Sequence, residues 1–203
     1  MQRQKNFLKT GQGNKPFLLL DRDGTVIVER NYLSRPDQVQ LIPGVANALK
    51  TIREMGWGIA LITNQSGIAR GFFTAADVKM VHQRLTTLLA EENVWFDGIY
   101  FCPHHPEENC RCRKPAPGLF EQAAREHGFD PRQSLIVGDN ICDLELGRRV
   151  GSRTILVRTG YGCKVERLDP SLATYILNDV SELPDLLWRL EEENRGRIID
   201  QFD

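Results

Sequence analysis

The sequence predicts an α/β fold: a three-layer, doubly wound and mostly parallel sheet. Three observations carry this expectation. Short apolar runs recur at near-regular intervals, segments of helical period lie between them, and polar residues stand just beyond three of the runs. Alternating strands and helices return the chain to the same end of the sheet through long crossovers, which makes the strands parallel and covers both faces. Ligands of such sheets lie beyond the carboxyl ends of the strands.

The first strand is Phe17 to Leu20, and it runs directly into Asp21-Arg22-Asp23-Gly24-Thr25. Val45, Ala48, Leu49 and Ile52 repeat at i, i+3, i+4 and i+7 and the pattern stops at Gly56, which predicts a helix over Val45 to Met55. Trp57 to Ile62 is the second strand and ends in Thr63-Asn64-Gln65-Ser66-Gly67. Thr74 and Asp77 open a helix in the manner of a capping box, running to about Asn93. Strands follow at Ile99 to Cys102, Ser134 to Val137, Thr154 to Val157 and Tyr175 to Leu177, with helices over Gly118 to His127, Ile141 to Val150 and Leu183 to Glu193. The polar ends, Met1 to Asn14 and Asn194 to Asp203, read as poorly ordered tails, leaving one domain over 1–203 with its core at about 16–190.

Composition narrows the partners. The chain has 203 residues, 41% hydrophobic, and 26 basic against 27 acidic residues give a net charge of −1. No global field draws it to nucleic acid or to an anionic membrane, whereas a small charged ligand is compatible with it. The apolar run Pro16 to Leu20 is too short for a signal segment or a spanning helix. Five cysteines, three of them crowded at Cys102, Cys110 and Cys112, do not make a disulfide framework. A reducing cytoplasm and a metal-bound cluster fit better, and a soluble cytoplasmic monomer is expected.

Residues two apart on a strand share a face, so Asp21 and Asp23 point the same way and can hold a divalent cation and a phosphate together. Gly24 lets the chain turn away behind them. Taken alone, such a pair is more often an acidic turn or a helix cap. Thr63 to Gly67 offers hydroxyls, amides and backbone N–H groups to phosphoryl oxygens, although a Ser/Asn turn with local hydrogen bonds is its commoner meaning. Arg113-Lys114-Pro115 supplies two adjacent cations, or a solvated basic turn. Asp139-Asn140, with Asp143 one helical turn on, is a polar strand end in which Asp139 could equally cap the next helix. Cys102, Cys110 and Cys112 with either His104 or His105 make the ligand set of a closed, structural zinc site.

These four segments, in this order, resemble the haloacid dehalogenase superfamily of phosphatases over about Phe17 to Val157, and so imply a HAD-like Rossmannoid core. The resemblance implies that Asp21 is the nucleophile, that Asp23 is the acid and base, and that Thr63 and Lys114 hold the phosphoryl oxygens. It implies Mg²⁺ on Asp21, the Asp23 carbonyl and Asp139, with Asp143 orienting Lys114 or a metal-bound water. The intervals from Thr25 to Thr63 and from Thr63 to Lys114 leave little room for a cap domain, so the site is expected to be capless and open. The zinc loop ending in Cys-Arg-Lys-Pro, together with Thr63 to Gly71, resembles the D-glycero-D-manno-heptose 1,7-bisphosphate 7-phosphatases. This second resemblance sets His104 as the zinc ligand, gives Arg113 the second phosphate, and has Glu29, Arg30, Asn31, Tyr32, Asn64, Gln65, Ser66 and Asn140 contact the substrate. The implied partner is a small phosphorylated sugar. Arg30 and Arg70 are further candidate cations for its second phosphate. The short stretch between His104 and Cys110 is more like that of histidinol-phosphate phosphatases, the alternative activity. A polynucleotide 3′-phosphatase and a non-catalytic zinc-stabilised binding module are more distant readings.

Overall fold

The computed structural model describes residues 15–199, with side chains described to residue 193. Six strands form one parallel sheet: β1 (Phe17–Leu20), β2 (Gly58–Asn64), β3 (Gly98–Cys102), β4 (Ser134–Gly138), β5 (Arg153–Val157) and β6 (Tyr175–Leu177), in the order β3-β2-β1-β4-β5-β6. The helices are α1 (Val45–Glu54), α2 (Ala75–Ala90), α3 (Gly118–His127), α4 (Ile141–Val150), α5 (Gly162–Leu168) and α6 (Leu183–Ile199).

Strand periodicity divides the core between the two faces. Leu18 and Leu20 pack on one side with Val45, Leu49 and Ile52 of α1, Val81 and Leu85 of α2, and Leu187 of α6. Phe17 and Leu19 point the other way, onto Leu119, Phe120 and Ala123 of α3 and Leu146 of α4. Both faces of β1 are therefore dry, which is why its sequence is uniformly apolar. Each fully buried Leu or Ile in such a core is worth about 1.5–3 kcal/mol.

Strand ends differ from the sequence reading by a residue or two, with one consequence. β2 continues through Thr63 and Asn64, which pair with Phe101 and Cys102, so these two polar residues stand on rigid strand rather than in a loop. Helix α2 carries the anticipated capping box, Thr74 Oγ1 accepting from Asp77 N at 3.2 Å and Asp77 Oδ2 from Thr74 N at 2.7 Å. The cap of α4 is Asn140, whose side chain accepts from Cys142 N, and not Asp139. Helix α5 was not anticipated. The last helix corrects the expected carboxyl tail over 194–199, where it continues; the amino tail at 1–14 and residues 200–203 lie outside the described residues.

Only a 3₁₀ turn and α1 separate β1 from β2, and only α2 separates β2 from β3. Among the described residues no inserted domain stands over the carboxyl edge of the sheet. No helix among the described residues is long and apolar enough to cross a membrane.

Candidate active site

A cleft of about 420 Å³ opens at the carboxyl ends of β1, β2 and β4. These three strands are neighbours at the centre of the sheet, where the chain reverses direction of winding. Asp21 continues β1, its N–H donating to Val137 O at 2.9 Å. Lys114 arrives from the loop after the cysteine cluster, and its Nζ donates to Asp21 Oδ1 at 2.6 Å and Ile62 O at 2.7 Å while lying 2.6 Å from Asp143 Oδ1. Two of its donors thus have hydrogen-bond acceptors, and the contact with Asp143 is an ion pair. Burial alone would lower the Lys114 ammonium, but Asp143 and Asp21 outweigh it and hold it above the ordinary lysine value.

The carboxylates outnumber this cation. Asp21, Asp139 and Asp143 each place an oxygen within 4.8 Å of the others. Burial pushes Asp21 up to about 7 against the pull of Lys114, with Asp143 and Asp23 adding to the rise. Asp139 goes up to about 8, from burial first and then from Asp21 and Asp143. Backbone closes tightly on Asp139: a Cβ at Gly24 or Gly160 would fall 2.2 or 2.0 Å from its Oδ2, and both glycines have positive φ, 74° and 55°. A buried, oxygen-only and mutually repelling donor set of this kind fits a hard divalent cation such as Mg²⁺.

Asn64 and Gln65 line the cleft as expected of ligand-facing residues, and their amides also bond to the protein. Asn64 accepts from Lys114 N at 3.0 Å and donates to Lys114 O at 3.1 Å, clamping the backbone that carries the ammonium. Gln65 is buried, and its Nε2 donates to Asp23 Oδ2 at 3.0 Å and to Thr63 Oγ1 at 2.9 Å. Its Oε1 accepts from Arg22. Arg22, between the two aspartates, is 1% exposed and grips Asp23 through Nε and Nη2. This residue escaped the sequence reading, as did its third partner His82, although a histidine among Val78, Val81, Leu85 and Leu89 on the buried stripe of α2 was a usable signal.

At the mouth stand Glu29, Asn31 and Tyr32, together with Ser66, Arg113, Asn140 and Tyr161. Glu29 Oε1 accepts from Asn31 N at 2.5 Å, and burial raises its carboxyl. Asn31 and Tyr32 hold φ of 43° and 63°, two successive left-handed residues without glycine, a strained arrangement of the sort found at ligand-binding loops. Arg30 does not line the cleft; it donates to Gln40 Oε1 at 3.0 Å on the exposed surface. Arg70 is exposed and also outside the lining. Arg113 does line it, and its Nη1 is buried without a hydrogen-bond partner among the described residues.

Beside the cleft, the Sγ atoms of Cys102, Cys110 and Cys112 and the Nδ1 of His104 close a tetrahedron with measured edges of 3.1–3.6 Å. Zinc–sulfur bonds of about 2.3 Å call for edges of about 3.8 Å, so the four atoms could hold a zinc ion after a slight expansion. All three cysteines are free of disulfides. His105 is outside the cluster and caps the 3₁₀ turn at Pro106–Glu108. The loop is wedged against α3, where Gly118 N donates to Arg111 O at 2.8 Å and a Cβ on Gly118 would meet that oxygen at 2.4 Å.

Known proteins share this architecture. A family model described as HAD-hydrolase-like matches residues 111–183. A D-glycero-beta-D-manno-heptose-1,7-bisphosphate 7-phosphatase of Haemophilus influenzae is 40% identical over 184 residues, 86% of this chain and 98% of the relative. The chain belongs to this family. The heptose bisphosphate 7-phosphatase of Yersinia pestis is 42% identical over 178 residues, 83% of this chain and 93% of the relative. In the same family, the crystal structure of D,D-heptose 1,7-bisphosphate phosphatase from B. bronchiseptica, complexed with magnesium and phosphate, superposes with a TM-score of 0.80 at 32% identity, covering 86% of this chain and 98% of that one.

Proposed function

We propose that this chain removes the 7-phosphate from D-glycero-β-D-manno-heptose 1,7-bisphosphate through a phosphorylated Asp21. The observation that carries the proposal is the charged file Asp21–Lys114–Asp143, with both contacts to Lys114 Nζ at 2.6 Å, set at the junction of β1, β2 and β4 in a chain that covers almost the whole length of the curated phosphatases. Asp21 attacks phosphorus: an Asp21 O–P bond forms as the bond from phosphorus to the substrate's O7 breaks, and Asp23 gives that oxygen its proton. Asp23 then takes a proton from the water that attacks the acyl phosphate, the Asp21 O–P bond breaks, and phosphate leaves. Splitting the displacement in two lowers each barrier. Thr63 and Lys114 hold the transferred oxygens, and Asp143 fixes Lys114.

Asp21, Asp139 and the Asp23 carbonyl would hold Mg²⁺, which when bound neutralises charge between the attacking carboxylate and the phosphate. Arg113, with an unpaired buried donor, receives the second phosphate. Cys102, His104, Cys110 and Cys112 would hold zinc, which when bound would fix the loop that delivers Arg113 and Lys114. One domain, working as a cytoplasmic monomer without nucleic acid or membrane partners, suffices for this chemistry, and the balanced charge supports that reading. The test is kcat/KM with Mg²⁺ on the β and α anomers of the bisphosphate and on histidinol phosphate. The β anomer should lead, and Asp21→Asn should abolish release; preference for histidinol phosphate would replace the substrate proposed here.

A further inference from the structure

We infer that Arg22 and His82 form a bracket that sets the position of Asp23 for both proton transfers, an inference that rests on the acid and base role proposed above. Arg22 reaches Asp23 by Nε to Oδ2 at 3.1 Å and by Nη2 to Oδ1 at 3.0 Å, a two-point grip between adjacent residues. The same Nη2 donates to Gln65 Oε1 at 3.0 Å, and Gln65 Nε2 returns to Asp23 Oδ2. On the far side, Arg22 Nη1 lies 3.2 Å from His82 Nε2. A guanidinium has no acceptor, so His82 accepts there and is neutral, with its proton on Nδ1. Burial, and then Arg22 itself, push the imidazole down to about 3, which agrees with that assignment.

The arrangement spans three elements. Arg22 follows β1, Gln65 follows β2, and His82 sits on α2, with its ring edge-on to Phe101 at 5.8 Å between centroids. Asp23 keeps 20% of its side chain exposed to the cleft while the Arg22 side chain keeps 1%. An arginine held this deeply beside a partly open carboxylate is a support: it touches the group that moves protons and is itself shut off from most of the cleft. Asp23 is displaced when the support is shortened, since a lysine offers a single point charge in place of a planar fork. Misplacement of a catalytic group by about 1 Å costs up to about 100-fold.

Leaving-group dependence separates positioning from general damage. A sugar alkoxide needs a proton from Asp23 to depart, whereas p-nitrophenolate leaves without one, and the hydrolysis of phosphorylated Asp21 needs Asp23 whichever group has left. Arg22→Lys is therefore expected to lower kcat/KM on heptose 1,7-bisphosphate about 10- to 100-fold. On p-nitrophenyl phosphate it should keep kcat/KM near the wild-type value and release a burst of about one p-nitrophenolate per enzyme before slow turnover. His82→Leu should give a weaker form of the same split, and His82→Gln, which retains an acceptor for Nη1, should restore the wild-type ratio. If Arg22→Lys does not fold, the His82 pair carries the comparison.

A proportional fall on both substrates without a burst overturns the bracket, as does a His82→Leu protein with the wild-type substrate ratio. Wild-type enzyme is the control that keeps the two proposals apart. If it cleaves p-nitrophenyl phosphate but not the bisphosphate, the substrate is wrong, and the burst alone decides the bracket.

Discussion

Arg113 and His82 show how much one buried donor or acceptor decides. Arg113 Nη1 lacks a partner among the described residues, so a second phosphate arriving there gains a charge-assisted hydrogen bond at little ordering cost. Removing such a bond costs about 1.5–3 kcal/mol, so Arg113→Ala should raise KM for the bisphosphate about 10- to 100-fold and spare a monophosphate. Steady-state kinetics on both substrates checks this; equal effects would take Arg113 out of that role. His82 gives a pH prediction. Its folded-state value of about 3 lies below the ordinary 6.5, so between these the unfolded chain binds a proton that the folded chain does not. The stability it contributes is whole above pH 6.5 and is lost as pH falls toward 3, by up to about 1.4 kcal/mol per pH unit. Urea unfolding at pH 7 and pH 4.5 should show a smaller acid loss in His82→Gln than in wild type. At this scale the sequence was only partly readable. Asp21, Thr63 and Asp139 come together as their strand-end positions imply, and Lys114 joins them from the loop after the cysteines. Asn64 and Gln65 line the same cleft, but nothing local in the sequence marks the bonds that tie their amides to Lys114, Asp23 and Arg22. Arg22 escaped the reading for the same reason.

The elements were more legible, because strand and helix periods are local. Val45, Ala48, Leu49 and Ile52 are all buried on α1, as their spacing requires. Helix α5 was missed because Gly162-Cys163-Lys164-Val165 has no apolar repeat; its one deeply buried apolar side chain is Val165, packed against Leu144 and Leu156. The zinc loop is the element whose loss should be felt furthest. Its sulfurs pack with α3, Gly118 is wedged on Arg111 O, and the chain passes from Cys112 straight to Arg113 and Lys114. Burial holds the Cys102 thiol above its ordinary value, so without a metal this side chain stays protonated. Cys110→Ser, or removal of zinc by a chelator, should lower the zinc content, lower the melting temperature and slow turnover together. Zinc analysis with calorimetry and kinetics on one preparation tests this; unchanged activity in zinc-free protein would contradict the structural role. Gly118→Ala should reproduce the turnover loss with zinc retained.

For the whole molecule, three carboxylates gathered around one lysine at the centre of a dry sheet are a standing cost that a cation offsets. Asp21 and Asp139, raised to about 7 and about 8 from 3.8, keep protons in the folded state that the unfolded chain has lost. Metal-free protein should therefore become less stable as pH rises from about 4 to about 8. Mg²⁺ displaces those protons, so the rise in melting temperature that it brings should be larger at pH 8 than at pH 6, with protons released on binding. Calorimetry at both pH values checks the sign. The fold supplies no lid over this centre among the described residues, and its mouth is lined by Glu29, Asn31, Tyr32, Arg113 and the strand ends. The measurement that bears most directly on the account is ³¹P NMR of heptose 1,7-bisphosphate incubated with the enzyme and Mg²⁺. The 7-phosphate resonance should vanish as inorganic phosphate grows, with the 1-phosphate intact and Asp21→Asn inert. Loss of the 1-phosphate, or release that survives Asp21→Asn, would contradict it.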